Sequence, residues 1–143
     1  MKILVPFDGS EAAENAIQYA LKLAKSHKNS EVTILSVACY KAPYARDFSY
    51  TPIELKNACQ VFFQDILAKT AEVFKDAGIV TYTITETGDA AEIIIDKART
   101  NNYDKIVMGR RGLGSLAGLM LGSVSTKVLA HVDIPVTIVS SHN

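Results

Sequence analysis

Short apolar runs alternate along this chain with longer stretches in which apolar residues return every three or four positions. Residues 1–7 form the first run, with Ile3-Leu4-Val5 at its centre, and read as a strand buried on both faces. Asp8-Gly9-Ser10 breaks the run, and Ser10 suits a helix N-cap followed by Glu11 and Glu14, the charge sign that a helix start favours. Ala13, Ala16, Ile17, Ala20, Leu21 and Ala24 then keep helical spacing to about Ser26. Val32, Ile34, Leu35 and Val37 mark a second strand over residues 31–39, and residues 40–50 lack periodicity and read as a loop. Thr51-Pro52-Ile53-Glu54 joins a capping box to a proline at the first helical position. Leu55, Ala58, Phe62, Ile66, Ala71 and Phe74 carry that helix to a stop at Gly78.

Residues 79–86 alternate Val80, Tyr82 and Ile84 with Thr81, Thr83 and Thr85, a strand pattern suited to a sheet edge. Asp89-Ala90-Ala91-Glu92 is a second capping box, opening a helix through Ile93, Ile94 and Ala98 that Asn101-Asn102 ends. Residues 105–108 predict a fourth strand, 109–122 a glycine-rich segment, 123–132 a short helix and 135–139 a fifth strand. The order β-α-β-α-β-α-β-α-β predicts an α/β fold: one doubly wound domain over residues 1–143, with a parallel sheet and helices on both faces.

Composition narrows the chemistry. Apolar residues make up 48% and charged residues 21%, as in a globular protein. Lys plus Arg equals Asp plus Glu at 15 each, so no global field draws nucleic acid or an acidic membrane, and an anion site must be local. The apolar start is too short for a secretory signal, and no run reaches the ~20 residues that span a bilayer. Cys39 and Cys59 show no C-x-x-C spacing and no histidine at metal-ligand spacing. They read as free thiols of a cytoplasmic protein.

In doubly wound sheets, ligands sit beyond the carboxyl ends of the strands where the winding reverses. The loop after the fourth strand stands out there. Between Lys105 and Val132 lie Arg110, Arg111 and Lys127 without a carboxylate. Gly109, Gly112, Gly114, Gly118 and Gly122 let backbone N–H groups approach one anion, and Ser123 and Ser125 add hydroxyls at a helix start. Phosphate binding follows from this composition. So does a plain connection whose Leu113, Leu116, Leu119, Met120 and Leu121 pack on the sheet. A Walker loop fails, because Gly114 is followed by Ser115 rather than lysine. A dinucleotide fingerprint at residues 112–117 lacks its acid at the end of the next strand, since Asp133 precedes that strand.

A third pattern fits. Gly109-Arg110-Arg111-Gly112, nine residues, then Gly122-Ser123 resembles G-x2-G-x9-G-[ST], the nucleotide motif of the ATP-binding universal stress proteins. The likeness covers nearly the whole chain: ILVPFDGS at 3–10, ILSV at 34–37, TGDAAEII at 87–94, YDKIVMG at 103–109, residues 120–125 and IPVTIV at 134–139. The resemblance implies five parallel strands in the order 3-2-1-4-5, with ATP, ADP or AMP lying across the first and fourth. It implies that Pro6, Phe7 and Asp8 flank the adenosine and that the backbone of Val37 pairs with adenine. Gly109 and Gly112 would border ribose and phosphate. Arg110, Arg111, Gly112, Leu113, Gly114 and Ser115 would wrap the phosphates, and Gly122, Ser123, Val124 and Ser125 would donate to them. It also implies a homodimer through the last strand, Val136–Val139.

Asp8 has three readings: an adenosine contact, a ligand for Mg²⁺ near the phosphates, or the shaper of the turn before Ser10. Arg110 and Arg111 read either as added phosphate charge or as surface, and loop 40–50 as a cover for the base, a surface loop or a dimer contact. His27, His131 and His142 have no positioned partner, and Lys127 reads as solvated. The sequence supports a nucleotide-binding stress or signalling protein. A slow ATPase or phosphotransferase, or a nucleotide-free interaction protein, is the alternative.

Overall fold

The structure, a computed structural model, describes residues 1–38, 52–110 and 121–140. Its elements run β1 (Lys2–Pro6), α1 (Glu11–Lys25), β2 (Glu31–Ala38), α2 (Pro52–Lys75), β3 (Val80–Thr87), α3 (Ala90–Thr100), β4 (Lys105–Gly109), α4 (Ser123–His131) and β5 (Val136–Val139). The sheet is five-stranded and wholly parallel in the order β3-β2-β1-β4-β5. The expected alternation and strand order therefore both hold.

Two cores sit on opposite faces of the sheet, because successive strand residues point to opposite sides. Ile3, Val5, Val32, Ile34 and Val107 turn toward α1 and α2, where they meet Ala16, Ile17, Leu67 and Phe74. Leu4, Leu35, Ile106 and Met108 turn the other way, toward Ile94 and Ala98 of α3 and Val128 of α4. β1 is central, so Ile3, Leu4 and Val5 are all fully buried. β3 lies at one edge, as its alternating pattern predicts.

Local chemistry sets the helix ends. Ser10 Oγ accepts the Ala13 N–H at 3.2 Å, which caps α1. Gly78 adopts φ +71°, and Ile79 donates back to the Phe74 carbonyl at 3.0 Å, closing α2 in a Schellman turn. Ile79 and Phe74 are both buried in the same core. The capping box at Asp89 forms by half. Asp89 Oδ1 accepts the Glu92 N–H at 2.9 Å, but the Glu92 carboxylate turns to Lys127. Thr51, the expected cap of α2, lies outside the described residues, as do loop 40–50 and Cys39. No helix is long and apolar enough to cross a membrane among the described residues.

Candidate functional site

The chain reverses its winding between β1 and β4. Backbone hydrogen bonds show how the strands meet there. Glu31 donates to the Met1 carbonyl at 2.9 Å and Phe7 to the Leu35 carbonyl at 2.8 Å, so odd-numbered residues of β1 and β2 face each other. Even-numbered residues of β1 face β4, as the Asp104 N–H on the Lys2 carbonyl (2.9 Å) shows. Pro6 is the next such residue after Leu4, and it has no N–H to give. The β1/β4 pairing accordingly ends at Leu4 with Ile106. The Val107 carbonyl loses the donor that an unbroken parallel ladder would supply. Continuing the register from Leu4 and Ile106 sets Phe7 level with Gly109.

Segments from three strand ends line this switch point. Pro6 is half-buried, whereas the Phe7 ring is buried in the core beside α1, so Phe7 offers the site its backbone. Asp8 Oδ1 accepts the Ser10 N–H at 3.0 Å, which supports the turn-shaping reading of that residue. Val37 is half-buried and packs against the α3 core. It lies two residues beyond Leu35, the partner of the last residue of β1. By the same alternation its N–H and C=O point into the space past the end of β1.

The end of β4 is tied to the start of α4. Arg110 donates its N–H to the Val139 carbonyl at 2.7 Å, and its own carbonyl accepts the Gly122 N–H at 3.0 Å. Ser125 is buried, and its hydroxyl donates to the Gly109 carbonyl at 3.1 Å, so its one proton is committed to this frame. Gly109 is a packing glycine: a Cβ there would stand 2.7 Å from the Ala12 carbonyl carbon in the first turn of α1. Gly122 is the N-cap of α4 and supplies no side-chain cap. Among the described residues, the N–H groups of Ser123, Val124 and Ser125 have no acceptor.

Charge distinguishes this helix start from its neighbours. The first turns of α1, α2 and α3 carry Glu11 and Glu14, Glu54, and Glu92, and that of α4 carries no acid. Its partial positive charge has no acid in its own first turn to offset it. Lys127 departs from expectation. Its ammonium reaches Glu92 at 3.2 Å and Asp89 at 3.5 Å, clasping α4 to the start of α3. The hydrogen bond to Glu92 raises the Lys127 pKa, and the Glu92 N–H lowers that of Asp89, with Lys127 adding to it. Lys105 begins β4, at the end of the strand opposite the site. Of the cations counted in the sequence, Arg110 remains beside α4, and Arg111, Gly112, Leu113, Gly114 and Ser115 lie outside the described residues.

Ser36 escaped the sequence reading. It is fully buried near the carboxyl end of β2, and its hydroxyl has no hydrogen-bond partner among the described residues. Its one signal in the sequence is a hydroxyl residue set between Leu35 and Val37.

The model of the universal stress protein family matches residues 1–140 of the chain. Universal stress protein YxiE of Bacillus subtilis is 33% identical over 145 residues, covering 96% of this chain and 97% of its own length. The solved structure of MJ0577 from Methanocaldococcus jannaschii superposes with a TM-score of 0.88 at 30% identity, covering 99% of this chain and 96% of that one. Two further solved structures share the fold. One is a universal stress protein in complex with cAMP, at TM-score 0.72 and 23% identity, covering 99% of this chain and 98% of that one. The other is an Arabidopsis thaliana protein of the family with AMP bound, at TM-score 0.65 and 18% identity, covering 99% of this chain and 92% of that one. By the match over its length and by its strand order, the chain belongs to the universal stress protein family.

Proposed function

We propose that this protein binds an adenine nucleotide, ATP or its di- or monophosphate, at the β1/β4 switch point and serves a stress or signalling role through that binding. The observation that carries the proposal is the uncapped, acid-free N-terminus of α4, with three N–H groups lacking acceptors among the described residues. Such a helix start holds phosphate through its free N–H groups and its dipole. The cAMP and AMP complexes of the two related folds support adenine as the base.

In this reading the phosphates rest on Gly122, Ser123, Val124 and the N–H of Ser125, with Arg110, Arg111, Gly112, Leu113, Gly114 and Ser115 around them. Gly109 borders the ribose, while Pro6, Phe7 and Asp8 flank the adenosine. The backbone N–H and C=O of Val37 match the donor and acceptor edge of adenine, and its side chain stays with the core. Asp8 can offer Mg²⁺ its Oδ2, since Oδ1 already holds the Ser10 N–H. Among the described residues no group of three His, Cys, Asp or Glu side chains could hold a metal ion. Any Mg²⁺ would therefore owe its place mainly to the phosphates.

A homodimer through β5 belongs to the same reading. The deciding experiment is mass spectrometry of the purified, denatured protein. Released adenine nucleotide is expected. No nucleotide, together with no thermal shift on adding ATP and Mg²⁺, would sink the proposal.

A further inference from the structure

At the other edge of the sheet lies a strand with little of the usual protection. Natural edge strands are shortened, charged, bulged or interrupted by proline, because their unpaired backbone groups otherwise recruit another strand. β3 pairs with β2 without interruption over all eight residues from Val80 to Thr87, so it has no bulge. From Val80 to Thr85 it has no charge, no proline and no glycine. Val80 and Tyr82 are 52% and 54% exposed on one face of this edge. Among the described residues no element pairs with its outer side.

The register shows what that side offers. Odd-numbered residues of β2 face β1, as the Glu31 and Leu35 hydrogen bonds show, so its even-numbered residues face β3. Ile34 pairs with Thr83. In a parallel pair the residues of β3 bonded to Ile34 are then the neighbours of Thr83, and the backbone groups of Thr83 itself turn outward. Thr81, Thr83 and Thr85 thus present their N–H and C=O groups to solvent, and Tyr82 and Ile84 use theirs on β2.

We infer that this edge pairs with the same edge of a second copy of the chain, antiparallel about a two-fold axis at Thr83. The segment Thr81-Tyr82-Thr83-Ile84-Thr85 reads alike in both directions in terms of threonine and apolar positions. Centring on Thr83 sets Thr81 against Thr85 of the second copy and Tyr82 against Ile84, an aromatic residue on a β-branched one. All the outward N–H and C=O groups then exchange, giving roughly six hydrogen bonds between the chains. Charge fits as well. Glu86 falls opposite Val80 of the second copy, so no two carboxylates face each other, and Glu86 is already paired with Lys97 at 2.7 Å. The contact is isologous, and together with the proposed β5 contact it would join dimers into larger assemblies. It is separate from the β5 edge and independent of nucleotide.

Sedimentation velocity of the full chain over a range of concentrations, beside two variants, provides the test. Thr83→Pro removes an outward N–H without touching the β2 ladder, and Thr83→Lys sets like charges together at the axis. Both are expected to lower the weight-average mass at a given concentration while keeping a cooperative thermal melt, at a temperature lowered only as loss of association requires. Should the proline variant fold poorly, the lysine variant decides. A cysteine pair locates the contact: Thr83→Cys in a Cys39→Ser, Cys59→Ser background should give a disulfide-linked dimer on mild oxidation. The Cα separation in a hydrogen-bonded antiparallel pair is about 5.5 Å, inside the bridgeable range of about 4.4–6.8 Å. Equal masses for wild type and Thr83→Lys overturn the inference. So does a dimer in which the Thr83→Cys chain forms no cross-link, since that places the contact elsewhere, β5 included.

Discussion

Gly109 shows how one residue can carry two demands. In the sequence it opens the G-x2-G-x9-G-[ST] pattern, and in the structure its missing Cβ admits the Ala12 backbone of α1. That contact joins distant parts of the chain, so no local pattern announces it. Gly109→Ala is expected to destabilise the fold by about 1–3 kcal/mol, as overpacking does, measurable by urea unfolding. A binding test at Gly109 therefore mixes packing with ligand. Gly122 has a φ of −65°, which suits any residue. Gly122→Val should weaken ATP binding at least tenfold, about 1.4 kcal/mol, by titration calorimetry on a protein whose melt is retained. Ser36 leads to the opposite expectation. Its buried hydroxyl has no partner among the described residues, so Ser36→Ala should raise unfolding stability by about 1 kcal/mol.

The elements were largely legible because their signals are local. Ser10, Asp89 and Gly78 act as the caps that their types and positions predict. Lys127 was not legible: four residues into α4 its surroundings look solvated, and its partners come from α3 across the fold. The α3–α4 clasp has a defined pH window. Asp89 is held below its ordinary 3.8, so its share of stability is present above that value and lost as pH falls through the lowered pKa. Lys127 is raised above 10.5, so its share is complete below that value and lost as pH rises through the raised pKa. Lys127→Met should remove the alkaline dependence and only weaken the acid one, because the Glu92 N–H still holds Asp89. The check is a pair of thermal-melt series, wild type and variant, from acid to alkaline pH. Parallel curves would show that the clasp adds nothing.

At the scale of the molecule, the sequence carried the architecture because each strand–helix unit repeats the same alternation of periods. It carried the site less fully. A count of Lys105, Arg110, Arg111 and Lys127 along one segment suggested pooled positive charge. Folding sends Lys105 to the far end of β4 and gives Lys127 two carboxylates. Helix direction is what survives, since every described helix follows a strand and starts at the carboxyl end of the sheet, and among the described helices α4 alone has no acid in its first turn. Linear charge counting misses this, because it is a property of orientation.

Pro6 has a consequence for how such a site persists. Restoring a donor there, as in Pro6→Ala, should let β1 and β4 zip one step further and raise unfolding stability by about 1 kcal/mol for one backbone hydrogen bond, seen as a higher melting point. The same protein is expected to emerge from purification with less nucleotide, which the released-nucleotide assay would read directly. A screen for heat tolerance alone would select that change. A screen for occupancy would reject it, so the proline marks where stability and vacancy compete.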